Sequence, residues 1–350
     1  MTVLLVDWLG RGGIAQCTES WAIELRAGGR DVVVVSRTGR ELQLASDSVQ
    51  GESPAQPSTK RRRLASLIDP MRRHEALVRS AVRRIHEVRP TIVVIQNYLA
   101  PAIEYRVHQA ARSVGAKVVF VVHNDHPHSA SSGLTVGLAR AISRADVVVT
   151  HSAYVANSLV ERLGREPLVW PLPAPLGLLK SPPVPSLLPA GPPIALHFGI
   201  LKRRYKGGAA VLSLAERADP NWRFVLAGVG APHHDRVLSI SRFLTGSELV
   251  TLVGQAAVVV LPYVAASQSA AIVLAKLLGA VPVATSVGGI PEQITHGVTG
   301  MLISSGGVTL EWEQALERLR DATARERMAA AAKAEAWHDH RRFVEQILTL

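Results

Sequence analysis

At 350 residues the chain is long enough for two domains, since single hydrophobic cores stop growing at roughly 250–300 residues. Its formal net charge of +11 suits nucleic acid, anionic lipid or a phosphate-bearing small molecule, and does not choose among them. A single cysteine, Cys17, excludes an internal disulfide and a multi-thiolate metal cluster; the longest apolar runs, at 118–122 and 258–261, fall far short of the ~18 residues of a membrane span.

The opening stretch MTVLLVDWLGRGG has few apolar residues and no preceding basic region, so it reads as a first strand and not as a secretory signal, and a cytoplasmic location is expected. A helix from about Ala15 to Ala27 and the strand DVVVVS follow. A Ser/Pro/Gln-rich loop at 46–59 leads into a basic helical segment, 60–84, with Lys60, Arg61, Arg62, Arg63, Arg72, Arg73, Arg79, Arg83 and Arg84. Such a segment is either a solvated helix face or a peripheral contact for a membrane or an anionic acceptor. It lacks the interleaved aromatics of a single-stranded nucleic-acid binder, so no nucleic-acid partner is expected.

TIVVIQ, a helix around 101–114, KVVFVVH and DVVVTH complete a first lobe. Continuous apolar strands separated by helices imply a parallel sheet buried on both faces, the doubly wound α/β arrangement. Residues 172–193 are dense in proline and predict a connection without helix or central strand. The pattern then resumes with PIALHFG, a helix from about Gly208 to Arg217, RFVLAG, a helix near 247–255, AVVVLPY, a helix at 269–278 and VPVATS. The expected organisation is a first domain at 1–178, a linker at 179–193, a second domain at 194–335 and a C-terminal helix at 336–350 returning to the first domain. Parallel sheets bind ligands beyond the carboxyl ends of their strands, so a cleft served by the strand-end loops of both lobes is expected.

Four of those loops carry chemistry. Gly10-Arg11-Gly12-Gly13 after the first strand lets a ligand approach the backbone at a helix start, although steric glycines occupy such turns equally well. His123-Asn124-Asp125-His126-Pro127-His128 offers either a metal cluster or a His and an Asn aimed at substrate hydroxyls. After Gly199, the cations Lys202, Arg203, Arg204 and Lys206 precede the pair Gly207-Gly208, which opens a helix; cations plus helix N–H groups suit a diphosphate. Ser267, Gln268 and Ser269 precede an apolar helix whose first N–H groups have no intrahelical partner, an anion-favouring place or a plain serine cap.

These stretches resemble the retaining glycosyltransferases of family 4, of the GT-B fold with two Rossmann-like lobes. GGIAQ at 12–16 is similar to the family's glycine loop, HNDHPH at 123–128 to its HN..PH loop, and ADVVVTHSAYVANSLVERLG at 145–164 to the strand and helix that follow. FGILKRRYKGG resembles the FGRIRPYKG-type loop, 242–263 the nucleotide-side segment, and ASQSAAIVLAKLLG with VATSVGGIPEQITHGVTGMLI the ATQSG-type donor helix. The resemblance implies transfer of a sugar from a UDP- or GDP-linked donor to a hydroxyl acceptor with retention at the anomeric carbon. The acceptor could be a small molecule, a polysaccharide or a lipid-linked group.

By the same resemblance His123, Lys206 and Arg203 are catalytic, while Gly12, Gly13, Gly199, Arg204, Phe243, Ser267, Gln268, Ser269 and Ala270 bind the donor. Asn124 and Gln16 face the acceptor, and neither a metal nor a cofactor beyond the nucleotide-sugar is implied. Two departures stand out. Many members carry paired glutamates where this chain has Ala266 and Leu274, and Ile200 replaces the usual arginine of the phosphate loop, leaving Arg203 or Arg204 to substitute. The rival readings are a non-catalytic nucleotide-sugar binding module and a metal-dependent hydrolase built on the histidines of 123–128.

Overall fold

The computed structural model describes residues 1–37, 62–124, 136–306 and 309–350. Lys60, Arg61, the loop at 46–59 and the stretch Asp125, His126, Pro127 and His128 therefore lie outside the described residues. The chain divides into two compact units, Met1–Trp170 with Val344–Leu350, and Pro171–Phe343.

In the first unit the strands β1 (Thr2–Asp7), β2 (Asp31–Ser36), β3 (Ile92–Ile95), β4 (Lys117–Val122), β5 (Val147–Thr150) and β6 (Leu168–Val169) form one sheet. Its order is β2-β1-β3-β4-β5-β6, and every pair is parallel. Strands β1 to β5 are Val/Ile/Leu runs buried almost end to end, because the helices α1 (Gly12–Ala27), α2 (Arg62–Val88), α3 (Pro101–Ser113), α4 (Val136–Arg144) and α5 (Ala153–Leu163) serve as crossovers. One core cluster runs through Leu4, Val6, Ile85, Ile95, Phe120 and Leu159. The start of α3 is capped from within: fully buried Glu104 accepts from the Leu99 and Ala100 N–H groups at 3.0 and 2.9 Å and meets His74 Nε2 at 2.5 Å.

The second unit begins at Pro171 and contains a one-turn helix α6 (Leu176–Leu179), β7 (Ile194–Phe198), α7 (Gly208–Arg217), β8 (Arg223–Ala227), β9 (Val237–Ile240), α8 (Gly246–Gly254), β10 (Ala256–Leu261), α9 (Ala270–Leu278), β11 (Val281–Thr285), β12 (Met301–Ile303), α10 (Thr309–Arg318) and α11 (Ala322–Ile347). Its strand order, β12-β11-β10-β7-β8-β9, is again all parallel. Both units are thus doubly wound α/β, as the strand pattern predicts.

Three expectations are corrected. The proline-rich stretch does hold helix, since α6 fits one turn between its prolines and buries Leu178. The division between units falls at Trp170/Pro171, before the expected linker at 179–193. The last helix starts at Ala322, not 336, because alanines dominate its first half and no Gly or Pro interrupts it. Its end groups with the first unit, where Arg30 Nη2 donates to the Leu348 carbonyl at 3.4 Å.

Candidate functional site

Each sheet has one topological switch point, where neighbouring strands send their crossovers in opposite directions and their C-terminal loops splay apart. In the second unit it lies between β7 and β10. The loops that follow these two strands are the third and fourth sequence candidates, and the structure brings them together. Val264 N–H donates to the Tyr205 carbonyl at 2.9 Å, and Lys206, in the 3₁₀ turn Arg204–Lys206, donates from Nζ to Tyr263 Oη at 2.9 Å. The same ammonium lies 4.1 Å from the centroid of the Tyr263 ring and 5.6 Å from that of Tyr205. Lys206 is half-buried and held, whereas Arg203 and Arg204 are exposed and make no side-chain bond among the described residues.

Gly207 is what permits this approach. Its φ is +72°, and a Cβ there would sit on the Pro262 carbonyl oxygen. Beneath the loop, fully buried His197 donates from Nδ1 to the Val260 carbonyl at 2.7 Å, tying β7 to β10. Burial first, and the Lys206 charge after it, push its imidazole down to about 4.

A depressed histidine pKa means that the unfolded chain takes the proton first. The stability it contributes is present above about pH 6.5 and is lost as pH falls toward about 4. His197 alone should therefore destabilise the protein by about 2 kcal/mol between pH 7 and 5. Urea unfolding of wild type and His197→Gln at the two pH values checks this: the variant should lose less on acidification, and an unchanged pH slope would contradict the assignment. His108 in the first unit, also pushed to about 4 chiefly by burial, adds to the wild-type loss and remains in the variant.

At the start of α9 the structure refines the expectation. Ser269 N–H is not available to a ligand, because Gln293 Oε1 accepts it at 2.7 Å while Gln293 Nε2 donates to the Ser269 carbonyl at 3.2 Å. The first intrahelical bond is Ile272 N–H to Ser269, so the open donors are those of Ala270 and Ala271. Ser267 and Ser269 are buried, Ser269 makes no side-chain cap bond, and Gln268 Oε1 is buried without a partner among the described residues. Buried Lys276 braces the helix from below through Glu335 and the Gln293 carbonyl. Ala266 and Leu274 are buried in the apolar core, so no carboxylate stands at either place.

Gly199 follows β7 directly, its N–H donating to the Ala227 carbonyl at 3.0 Å. Phe243 follows β9, two strand spacings or ~10 Å from β7, and is 60% exposed on a turn held by the bidentate Arg242–Glu248 pair at 2.8 and 2.7 Å.

In the first unit the switch point lies between β1 and β3. Gly12 and Gly13 are exposed at the start of α1, and the turn before them is fixed by buried Asp7, whose Oδ1 accepts from Leu9 and Gly10 N–H at 2.8 and 3.1 Å. Burial raises the Asp7 carboxyl above its ordinary range. Gln16 is half-buried one turn into α1 and Asn124 half-buried after β4. His123 is buried, donates from Nε2 to Gln96 Oε1 at 3.2 Å, and is held neutral by burial. Its ring lies 5.2 Å from that of His151, whose Nε2 is 3.6 Å from Cys17 Sγ.

Sequence reasoning did not single out Asp7, Gln96, His151, Tyr263 or Gln293. Gln96 and Tyr263 end apolar strands, where an abrupt polar residue is a readable signal. Gln293 lies 24 residues from its partner, and only the fold pairs them.

The model of the "Glycosyltransferase Family 4" domain matches residues 11–174, and that of "Glycosyl transferases group 1" matches 192–321. The chain belongs to the family 4-like, group 1 glycosyltransferases. Its fold is GT-B. The chain is similar, at 18% identity and a TM-score of 0.73, to Anabaena HepE in complex with UDP-glucose, over 100% of both chains. A sucrose-phosphate synthase from Thermosynechococcus elongatus superposes at a TM-score of 0.75, with 16% identity, 100% of this chain and 96% of that one covered. A glycosyltransferase from Rickettsia africae gives 0.72 and 16%, covering 99% and 97%. No curated protein matches the chain significantly.

Proposed function

We propose that this glycosyltransferase moves a sugar from a nucleoside-diphosphate donor to a hydroxyl acceptor with retention at the anomeric carbon, and without a metal. The observation that carries the reading is Lys206 held against Tyr263 at the β7/β10 switch point, beside two unpaired arginines and the start of α9. As the bond between the anomeric carbon and the diphosphate oxygen breaks, negative charge grows on the leaving group. Fixed cations and open N–H groups stabilise that charge more than the ground state.

In this reading Lys206 and Arg203 neutralise the diphosphate, with Arg204 and Gly199 beside them. Ser267, Gln268, Ser269 and the Ala270 N–H bind phosphate or ribose, and Phe243 stacks on the base. The UDP-glucose bound by HepE favours UDP over GDP as the donor's nucleotide. His123, kept neutral by burial, offers its imidazole to a sugar hydroxyl, while Gly12, Gly13, Gln16 and Asn124 serve the acceptor side. The acceptor is a small molecule, a polysaccharide or a lipid-linked glycan.

The basic face of α2 suits a peripheral contact with anionic lipid through exposed Arg72, while Arg79 and Arg83 form helix-surface pairs with Glu75 and Glu87. Among the described residues no helix is long and apolar enough to cross a membrane.

The test is product analysis: incubation with UDP-glucose and a panel of hydroxyl acceptors, with the anomeric configuration of the product read by proton NMR. Retention is expected, and inversion overturns the reading. The apolar core at Ala266 and Leu274 favours a second reading, a binding module that has lost turnover; tight donor binding with no transfer to any acceptor would establish it. For the donor helix, Ser269→Glu places a carboxylate beside the diphosphate and should weaken donor affinity on the order of 10-fold or more. Calorimetry showing unchanged affinity would remove α9 from the site.

A further inference from the structure

We propose that Cys17, His123 and His151 form a three-ligand site for a soft divalent cation, with Zn²⁺ the best fit. The three residues come from α1, the end of β4 and the residue after β5, and each is buried. One ligand atom from each lies within 4.8 Å of the other two. A tetrahedral zinc with sulfur at about 2.3 Å and nitrogens at about 2.0–2.1 Å requires neighbouring ligand atoms about 3.3–3.6 Å apart. Cys17 Sγ and His151 Nε2 already stand at 3.6 Å, so one edge of the tetrahedron exists, and a His123 ring nitrogen lies within 4.8 Å of both.

The outer contacts are those of metal-binding histidines. The Trp170 carbonyl, 3.1 Å from His151 Nδ1, can only accept, so Nδ1 carries the proton and the Nε2 lone pair faces the thiol. Gln96 Oε1 at 3.2 Å plays the same part on His123 Nε2, leaving Nδ1 with the lone pair. The His151 imidazole is thus fixed in the tautomer that ligates, and His123 keeps one ring lone pair outside its Gln96 bond. Trp21 and Trp170 stack at 5.5 Å in the same unit, and the helix carrying Cys17 is anchored there. On binding, the S–H bond of Cys17 breaks, its proton goes to bulk water, and the sulfur forms the bond to zinc. Two neutral imidazoles and one thiolate leave the fourth position for water or a substrate oxygen.

The consequence for catalysis rests on the reading of His123 given above. An imidazole that ligates zinc is withdrawn from the sugar, so zinc is an inhibitor and Cys17, which has no part in transfer, is its handle.

The experiment titrates metal-stripped full-length protein with Zn²⁺ by calorimetry and with Co²⁺ by absorbance. One zinc per chain, a thiolate-to-cobalt charge-transfer band with tetrahedral d–d bands, and loss of the band with at least 100-fold weaker zinc binding in Cys17→Ser are expected. His151→Gln should weaken binding comparably. Binding unaffected by Cys17→Ser, or a cobalt spectrum of octahedral type without the charge-transfer band, overturns the site; the cobalt spectrum of wild type needs no variant to fold. Transfer is then assayed with and without one equivalent of zinc. Inhibition that Cys17→Ser escapes, with its basal rate unchanged, supports the coupling. Stoichiometric zinc with undiminished transfer keeps the site and overturns the catalytic role of His123 instead.

Discussion

Lys206→Ala is expected to lower the rate of sugar transfer on the order of 10²- to 10³-fold with little change in the folded structure. Its ammonium is the one cation of the phosphate loop with a fixed position, set by the hydrogen bond to Tyr263 Oη at 2.9 Å and by two aromatic faces. A charge already in place when the diphosphate departs needs no reorganisation at that moment, and removing one such donor typically costs 10²–10³ in kcat. Arg203 and Arg204 are exposed and unpaired, so each must be ordered by the donor and should matter less. Steady-state kinetics of Lys206→Ala beside Arg203→Ala and Arg204→Ala decides the order. An unimpaired Lys206→Ala enzyme would remove the loop from the chemistry.

Gly207→Ala should be strongly damaging. The residue needs φ +72°, where an L side chain is strained, and the new Cβ would occupy the position of the Pro262 carbonyl oxygen. Either the loop at 200–206 or the turn at 262–266 must shift, separating Lys206 from Tyr263. A loss of about 3 kcal/mol in stability is expected, with donor affinity falling alongside. Urea unfolding and donor calorimetry measure the two effects; wild-type values in both would show that the close approach is not required.

Much of this arrangement is legible in the sequence because the cues are local. The helix opened by Gly207-Gly208 runs from Gly208 to Arg217 as expected, since its glycine start, apolar spacing and terminal arginine all lie within it. Strands such as β4 and β10 are continuous apolar runs and could hardly be otherwise. What the sequence hides is pairing at a distance. Strands β6, β9 and β12 are only two to four residues long and carry little periodicity of their own, and they exist because a neighbouring strand offers its edge. The same holds at the site. That Ser269 has a serine-cap sequence says nothing of Gln293, which takes its N–H and leaves the Ala270 and Ala271 donors to a ligand. That Cys17 is alone in the sequence says nothing of His151, 134 residues away and 3.6 Å from its sulfur. Proline density at 179–193 marks where regular structure is poor, whereas the division between units at Trp170/Pro171 follows from which contacts each residue makes.

The most direct test is the thermal stability of the protein in the presence of UDP, GDP, ADP and TDP and their sugar conjugates, with and without chelator, in wild type and Lys206→Ala. A ligand that binds only the folded state raises the apparent Tm, by about 2.7 kcal/mol of stabilisation at a hundredfold excess over Kd. The expected result is a shift with one nucleotide, unaffected by chelator and much reduced in Lys206→Ala. Shifts with none of them, or a shift that chelator abolishes, would contradict metal-independent transfer from a nucleotide-sugar.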